Sequence, residues 1–468
     1  MLLVGALLYL ALPLDHLSVF PAVGEDEPWI AAASYKLATQ GVYGSDLFAG
    51  YSGVDRHNYQ HMPIYPLLEA GLFKVAGVGV WQMRLLPVVF GLALLLVVFL
   101  VGTELGDERI GALATMLLLG LRLYSGNETG ILLLDRARLN RYDIAVPVFG
   151  LLALWMFVRA ARMPAGWRYV LTGALTGLAS LSHLFGGFWL PVFFGLLCVE
   201  QRSGVGRLRA ARLLGLGFLA TWIPWLAYIV SGWNDYLGQM RFVAPRFDVF
   251  SASFYIDNAL HGRGPISLAW LRQIVHELPW NRPGAWSALV GIPIAVAVMA
   301  SSAVGDRDRR QAARLLGVAS VAQFVMFLLL LKVKTDNYMI GLWPLAVLML
   351  AWLDIWLWDR RRAWVRAGVV VLLALILIEG SAGVAQARTS ARQTDPYDAF
   401  TGEIARCIPP GSLVLGLQHY WLGLRQYRYR TWLMAVNYAH PLYYHDPLPL
   451  TGTWRPSSGM RRSGRRSS

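Results

Sequence analysis

Two neighbouring carboxylates open the chemistry of this chain. In the stretch GEDEPW (24–29), Glu25, Asp26 and Glu27 follow the apolar segment MLLVGALLYLALPL and precede Pro28. One acid before a proline can cap a helix, and acids in a first turn suit the helix dipole. Capping uses one carboxylate, whereas Asp26 and Glu27 adjoin. A carboxylate at a membrane–water boundary can also take the proton of a hydroxyl or amine as general base, so both are catalytic candidates.

A second group lies in RARLNRYDIAVPVFGLLALW (136–155), where Arg136, Arg138 and Arg141 precede Asp143. A lone arginine at the rim of a span can simply snorkel to water. Asp143 adds an acid beside Arg141, which makes Asp143 a third catalytic candidate and Arg138 and Arg141 candidates for an anionic substrate. His183, in GLASLSHLFGGFWLPV, sits beside Gly186 and Gly187; it can be an ordinary packed histidine, or it can line a site where the glycines admit a bulky group. In KVKTDNYMIGLWPLAVLML (332–350), Lys332, Lys334 and Tyr338 form either a boundary loop or a phosphate clamp. Of the 42 basic residues only Lys36, Lys74, Lys332 and Lys334 are lysine, and all four fall on one expected face. They suggest a rim of point charges for a lipid-linked phosphate, unless chance and an arginine-rich composition explain them. Asp55, His57 and His61 are irregularly spaced for metal ligands, so a divalent cation stays open and no metal site is assigned.

The elements that must hold these residues are membrane helices. The chain has 468 residues, 56% hydrophobic and 15% charged, with mean hydropathy +0.46; soluble chains carry about 25% charged residues. Runs such as LLPVVFGLALLLVVFLVG (85–102) and LLGLGFLATWIPWLAYIV (213–230) are long enough to cross a hydrocarbon layer. The reading is an all-α polytopic membrane protein with about eleven spans, near 1–22, 82–102, 109–123, 143–160, 168–182, 184–200, 211–231, 284–304, 313–331, 338–357 and 364–385. No Lys or Arg precedes the first apolar run, so 1–22 reads as a retained span rather than a cleaved signal.

Arginines cluster at 159–168, 202–212, 307–314 and 360–366. Such short basic loops mark the cytoplasmic side, and their scatter over several loops excludes the continuous basic face that nucleic acid requires. The other side then carries the outer loops 23–81 and 232–283 and a small C-terminal region, 386–452, ending in a basic tail, 453–468, with nothing to bury. Residues 1–385 form the transmembrane domain. Helices are expected over PWIAAASYKLATQG, ending at Gly41, over 63–77 and over 399–407, with a strand over 412–417. Cys198 and Cys407 make no credible pair.

In order and spacing, DEPWIAAASYKLATQGVYG, HMPIYPLLEAGLFKVAG, RLLPVVFG, RLNRYDIAVPVFGLLALWMFVRA, LTGALTGLASLSHLFGGFWLPV and KVKTDNYMIGLWPLAVLMLAWL resemble the membrane-embedded GT-C glycosyltransferases. The similarity is to bacterial relatives of the protein O-mannosyltransferases and the lipid A aminoarabinose transferase, over most of residues 20–355. It implies that Asp26 is the base, that Asp143 orients the acceptor or shares that role, and that Lys74 and Arg84 bind a donor phosphate. His61 matches an H-x-P pattern and His183 its later counterpart. The implied reaction is inverting transfer of a sugar from a polyprenyl-phosphate donor to a glycan, lipid or protein acceptor at the outer face of a cell membrane. A transporter or lipid flippase is the alternative, and it would place ionisable groups near the middle of its spans. A ligase of another family would carry a larger outer loop rich in Arg and His.

Overall fold

The computed structural model describes residues 2–124, 128–163, 165–199, 205–243, 248–260, 282–301, 307–331, 334–360 and 362–433. Lys332, the tail 453–468 and much of the loop 232–283 lie outside these residues. In chain order the helices begin with α1 (Leu2–Ala11), α2 (Asp26–Gln40), α3 (Ile64–Ala76), α4 (Val80–Leu105), α5 (Glu108–Gly120) and α6 (Leu132–Arg136). They continue as α7 (Ala145–Arg162), α8 (Gly166–Ser182), α9 (Trp189–Val199), α10 (Arg207–Ser231), α11 (Trp233–Val243) and α12 (Ala252–Leu260). The last are α13 (Pro283–Ala300), α14 (Arg307–Leu330), α15 (Trp343–Trp358), α16 (Ala363–Arg392) and α17 (Tyr397–Arg406).

Each apolar segment expected to span carries a helix, and the chain has the architecture of a polytopic membrane protein. Among the described residues, 6 helices can cross a membrane by length and composition, those beginning at Val80, Tyr142, Arg207, Pro283, Arg309 and Ala363, with shorter apolar helices at Leu2–Ala11, Leu184–Val199 and Trp343–Trp358. The first expected span, 1–22, is helical only to Ala11. Pro13 offers no N–H and stops the helix, after which 12–20 turn and bury Leu17 and Phe20. The last runs further than expected, to Arg392.

Small residues let the spans close on one another. A Cβ on Gly173 of α8 would lie 1.9 Å from the carbonyl oxygen of Leu214, and one on Gly217 of α10 would lie 1.9 Å from that of Val170, so these two helices meet backbone to backbone. The arginine-bearing ends gather on one face. There Glu104 pairs with Arg162 at 2.9 Å, and Arg109 bridges Asp107 at 2.8 Å and Asp359 at 3.1 Å. On the opposite face lie α2, α3 and the connecting loop. α2 ends at Gly41, whose φ of 72° is the left-handed cap that glycine allows. Against this loop packs the C-terminal region: α17, then strands β1 (Leu413–Gly416) and β2 (Arg428–Thr431) paired in parallel. Trp421, Leu422 and Tyr429 share a core with Ala31, Leu47 and Phe48. The strand expected over 412–417 is β1, and its partner β2 was not expected.

Candidate active site

The acid triplet is divided by the start of α2. Glu27 turns inward, 1% exposed, and meets Arg84, which is fully buried at the start of α4. Arg84 Nε donates to Glu27 Oε1 and Nη2 to Oε2, both at 2.8 Å, a bidentate fork. The same carboxylate accepts the backbone N–H of Asn140 at 2.9 Å and that of Gly24 at 2.8 Å. The last bond reaches back over the helix start as in a capping box. Both oxygens are thus fully engaged, and Arg84 gives a further bond to the Leu17 carbonyl at 3.0 Å.

Asp26, one residue earlier, faces outward with its side chain 46% exposed, and it ion-pairs with Arg141 Nη1. Arg141 Nε in turn donates to Asp143 Oδ2 at 2.7 Å. Asp143 is buried, and its Oδ1 has no hydrogen-bond partner among the described residues. One guanidinium therefore joins an open carboxylate to a buried one that keeps a free acceptor.

Rings form the wall beside this arginine. Trp29 meets His61 at 5.1 Å, His61 meets Tyr142 at 5.7 Å, Tyr142 stacks on His183 at 5.0 Å, and His183 meets Tyr338 at 5.1 Å. Five segments distant in sequence contribute one ring each. Burial pushes the His61 imidazole down to about 3, with the Arg141 charge adding to the effect. Burial pushes His183 down to about 4. Both rings are neutral near pH 7. His183 Nδ1 accepts the Phe185 N–H at 3.3 Å, so its proton is assigned to Nε2.

The remaining expected residues are placed elsewhere or are engaged. Arg138 donates to the carbonyls of Asp15 at 2.7 Å and Phe20 at 2.8 Å, which anchors the turn after α1. The described lysines, Lys36, Lys74 and Lys334, do not form a rim. Lys36 is held by Asp46 at 2.5 Å, and Lys334 is buried and donates to the Asn258 carbonyl at 2.8 Å. Burial lowers Lys334 to about 8. Lys74 is exposed in the last turn of α3, apart from the acid–arginine group, with no side-chain partner among the described residues. Asp55, His57 and His61 do not gather either, because His57 faces Asp235 at 2.8 Å. Among the described residues no three His, Cys, Asp or Glu side chains are grouped to hold a metal ion.

Two residues escaped the sequence reading. Asn140 is fully buried; its side chain donates to the Glu27 carbonyl at 3.2 Å and accepts from Tyr65 Oη at 2.6 Å. Glu69 is fully buried on α3 and accepts from Ser34 Oγ at 2.5 Å. Burial pushes its carboxyl up to about 8. Tyr65 and Glu69 stand four apart, on one helix face, a spacing that marks the inward side of α3.

Residues 60–228 match the family described as dolichyl-phosphate-mannose-protein mannosyltransferase. Among solved structures, ArnT from Cupriavidus metallidurans bound to undecaprenyl phosphate is similar with a TM-score of 0.63 at 17% identity, over 94% of this chain and 88% of that one. The oligosaccharyltransferase AglB from Archaeoglobus fulgidus, in complex with an inhibitory peptide and a dolichol-phosphate, is similar with a TM-score of 0.55 at 14% identity. That match covers 92% of this chain but 64% of AglB. No curated protein matches the sequence.

Proposed function

From the premise that this chain is a membrane protein of the GT-C glycosyltransferase fold, related to ArnT and to the protein O-mannosyltransferases, we propose that it transfers a sugar from a polyprenyl-phosphate donor to an acceptor at the outer face of the cell membrane. The observation that carries the proposal is the Asp26–Arg141–Asp143 group, with its open carboxylate and its buried one sharing a single arginine. The lipid-bearing ArnT and AglB structures support a lipid-linked phosphate as donor.

Asp26 takes the proton of the acceptor hydroxyl or amine. The acceptor atom attacks C1 of the sugar, the bond from C1 to the phosphate oxygen breaks, and the lipid phosphate leaves with the electron pair; C1 inverts. Arg141 sits where it can meet the charge that grows on that phosphate. Moving toward the phosphate, it also releases Asp26 from its ion pair. Asp143 orients Arg141 through Oδ2 and offers Oδ1 to a substrate hydroxyl. The wall of neutral rings receives the sugar face, and fixed dipoles with little water strengthen each charge contact. Glu27 and Arg84 position α2 without touching substrate, and Arg138 anchors the preceding turn.

Asp26→Asn tests this reading. Transfer from a polyprenyl-phosphate sugar falls about a hundred- to ten-thousandfold, the usual worth of a general base, while folded yield stays at the wild-type level because the Asp26 side chain is half exposed. Undiminished transfer by the variant would refute the assignment.

A further inference from the structure

We propose that a groove between α1, α5 and α16 binds an anionic phospholipid of the leaflet bordering the candidate active site, as a site separate from the transfer centre. The groove encloses about 780 Å³ and is lined by aliphatic side chains such as Leu8, Leu12 and Leu119, ending at Arg388 and Arg392. None of Asp26, Arg141 or Asp143 lines it.

Its shape follows from small residues. Gly120 and Gly380 bring α5 and α16 together, since a Cβ on Gly380 would lie 2.4 Å from the Gly120 carbonyl oxygen. The close approach leaves a trough rather than a filled seam. The side wall, α1, turns its leucines outward; Leu3, Leu7 and Leu8 are 72%, 60% and 53% exposed. In a bilayer such a face meets acyl chains.

The arginines give the trough a polar end at a defined depth. At 1.5 Å per residue, the 30 residues of α16 extend about 45 Å, beyond a hydrocarbon layer of about 30 Å. Arg388 and Arg392 lie in its last turns, at headgroup level, on the face shared with α2. Arg388 gives Nε to Asp15 Oδ2 at 2.9 Å, which fixes the guanidinium and leaves its Nη groups without a partner among the described residues. Arg392 is exposed and has no ion pair among those residues. Asp15 offsets one charge, so the end of the groove stays net positive. An apolar trough opening sideways to the bilayer, with a cationic end at phosphate depth, complements a diacyl lipid with an anionic head. Diacyl lipids are also the bulk of the surrounding bilayer.

The test uses the full chain purified in detergent. Native mass spectrometry counts retained lipid, and thermal unfolding is followed with added phosphatidylglycerol or phosphatidylcholine. The wild type retains phosphatidylglycerol and unfolds at a higher temperature with it, but not with phosphatidylcholine. The double variant Arg388→Ala with Arg392→Ala binds phosphatidylglycerol about tenfold or more weakly. Ala385→Trp fills the exposed groove, leaves both arginines in place and lowers retention to the same degree. Retention unchanged in these variants, or equal stabilisation by phosphatidylcholine, overturns the proposal. Displacement of the retained lipid by one equivalent of undecaprenyl phosphate overturns it too, because the groove would then serve the donor lipid.

Discussion

Replacing Glu27 by glutamine separates a structural acid from the acid proposed as catalytic. Glu27 Oε1 receives Arg84 Nε and the Asn140 N–H, and Oε2 receives Arg84 Nη2 and the Gly24 N–H. All four partners are donors. A glutamine keeps one acceptor oxygen and puts an NH2 where the other stood, so whichever way the amide turns, two donors lose their acceptor. Arg84, with no exposed surface, also loses its counter-ion. Breaking a buried pair from one side costs about 3–5 kcal/mol, against a total stability of about 5–15 kcal/mol for a typical domain. Unfolding of the purified protein in detergent, followed by denaturant titration, reads the loss. Transfer measured per folded molecule should change far less than in Asp26→Asn. Adding Arg84→Met to Glu27→Gln removes the stranded charge and restores most of the stability. A Glu27→Gln protein that unfolds like the wild type yet transfers nothing refutes this division, as does a double variant no more stable than the single one.

Arg141→Lys keeps a positive charge but loses the planar fork that reaches Asp26 and Asp143 together. Transfer falls about a hundredfold with folded yield preserved, read as initial rate at saturating donor. Glu69 makes stability depend on pH. Its carboxyl titrates near 8 when folded against an ordinary 4.5, so between these values the folded state holds a proton that the unfolded chain has released. Stability from this group is therefore full below about pH 4.5, falls as pH rises toward 8, and is flat above. Glu69→Gln removes that slope and is the more stable protein at pH 8.5, as unfolding midpoints across pH 5–9 will show.

The sequence marked out the helices because their signals are local. Proline and glycine punctuate α3, Gly41 ends α2, and runs such as 85–102 are apolar on every side. Charge in the short loops grouped the helix ends, and the structure brings Arg162 and Arg309 to one face, beside Arg109, as that grouping requires. The apolar length of 1–22 misled, since Pro13 outweighs hydropathy there. The site was legible only as an inventory. Arg84, Arg138 and Lys334 looked alike as candidate phosphate ligands, but nothing local says that Arg84 meets Glu27, 57 residues earlier, or that Lys334 turns to the Asn258 carbonyl.

The sequence by itself determined the fold class, the apolar helices and the acids at the start of α2. A hydrogen-bond ladder and an apolar run are properties of adjacent residues, so a linear reading captures them. The tertiary structure alone decided which acid is spent on Arg84 and which stays open, that Arg141 joins Asp26 to Asp143, and that five rings from separate segments share a wall. A side chain's role depends on what it is buried against, and those partners come from segments tens to hundreds of residues apart.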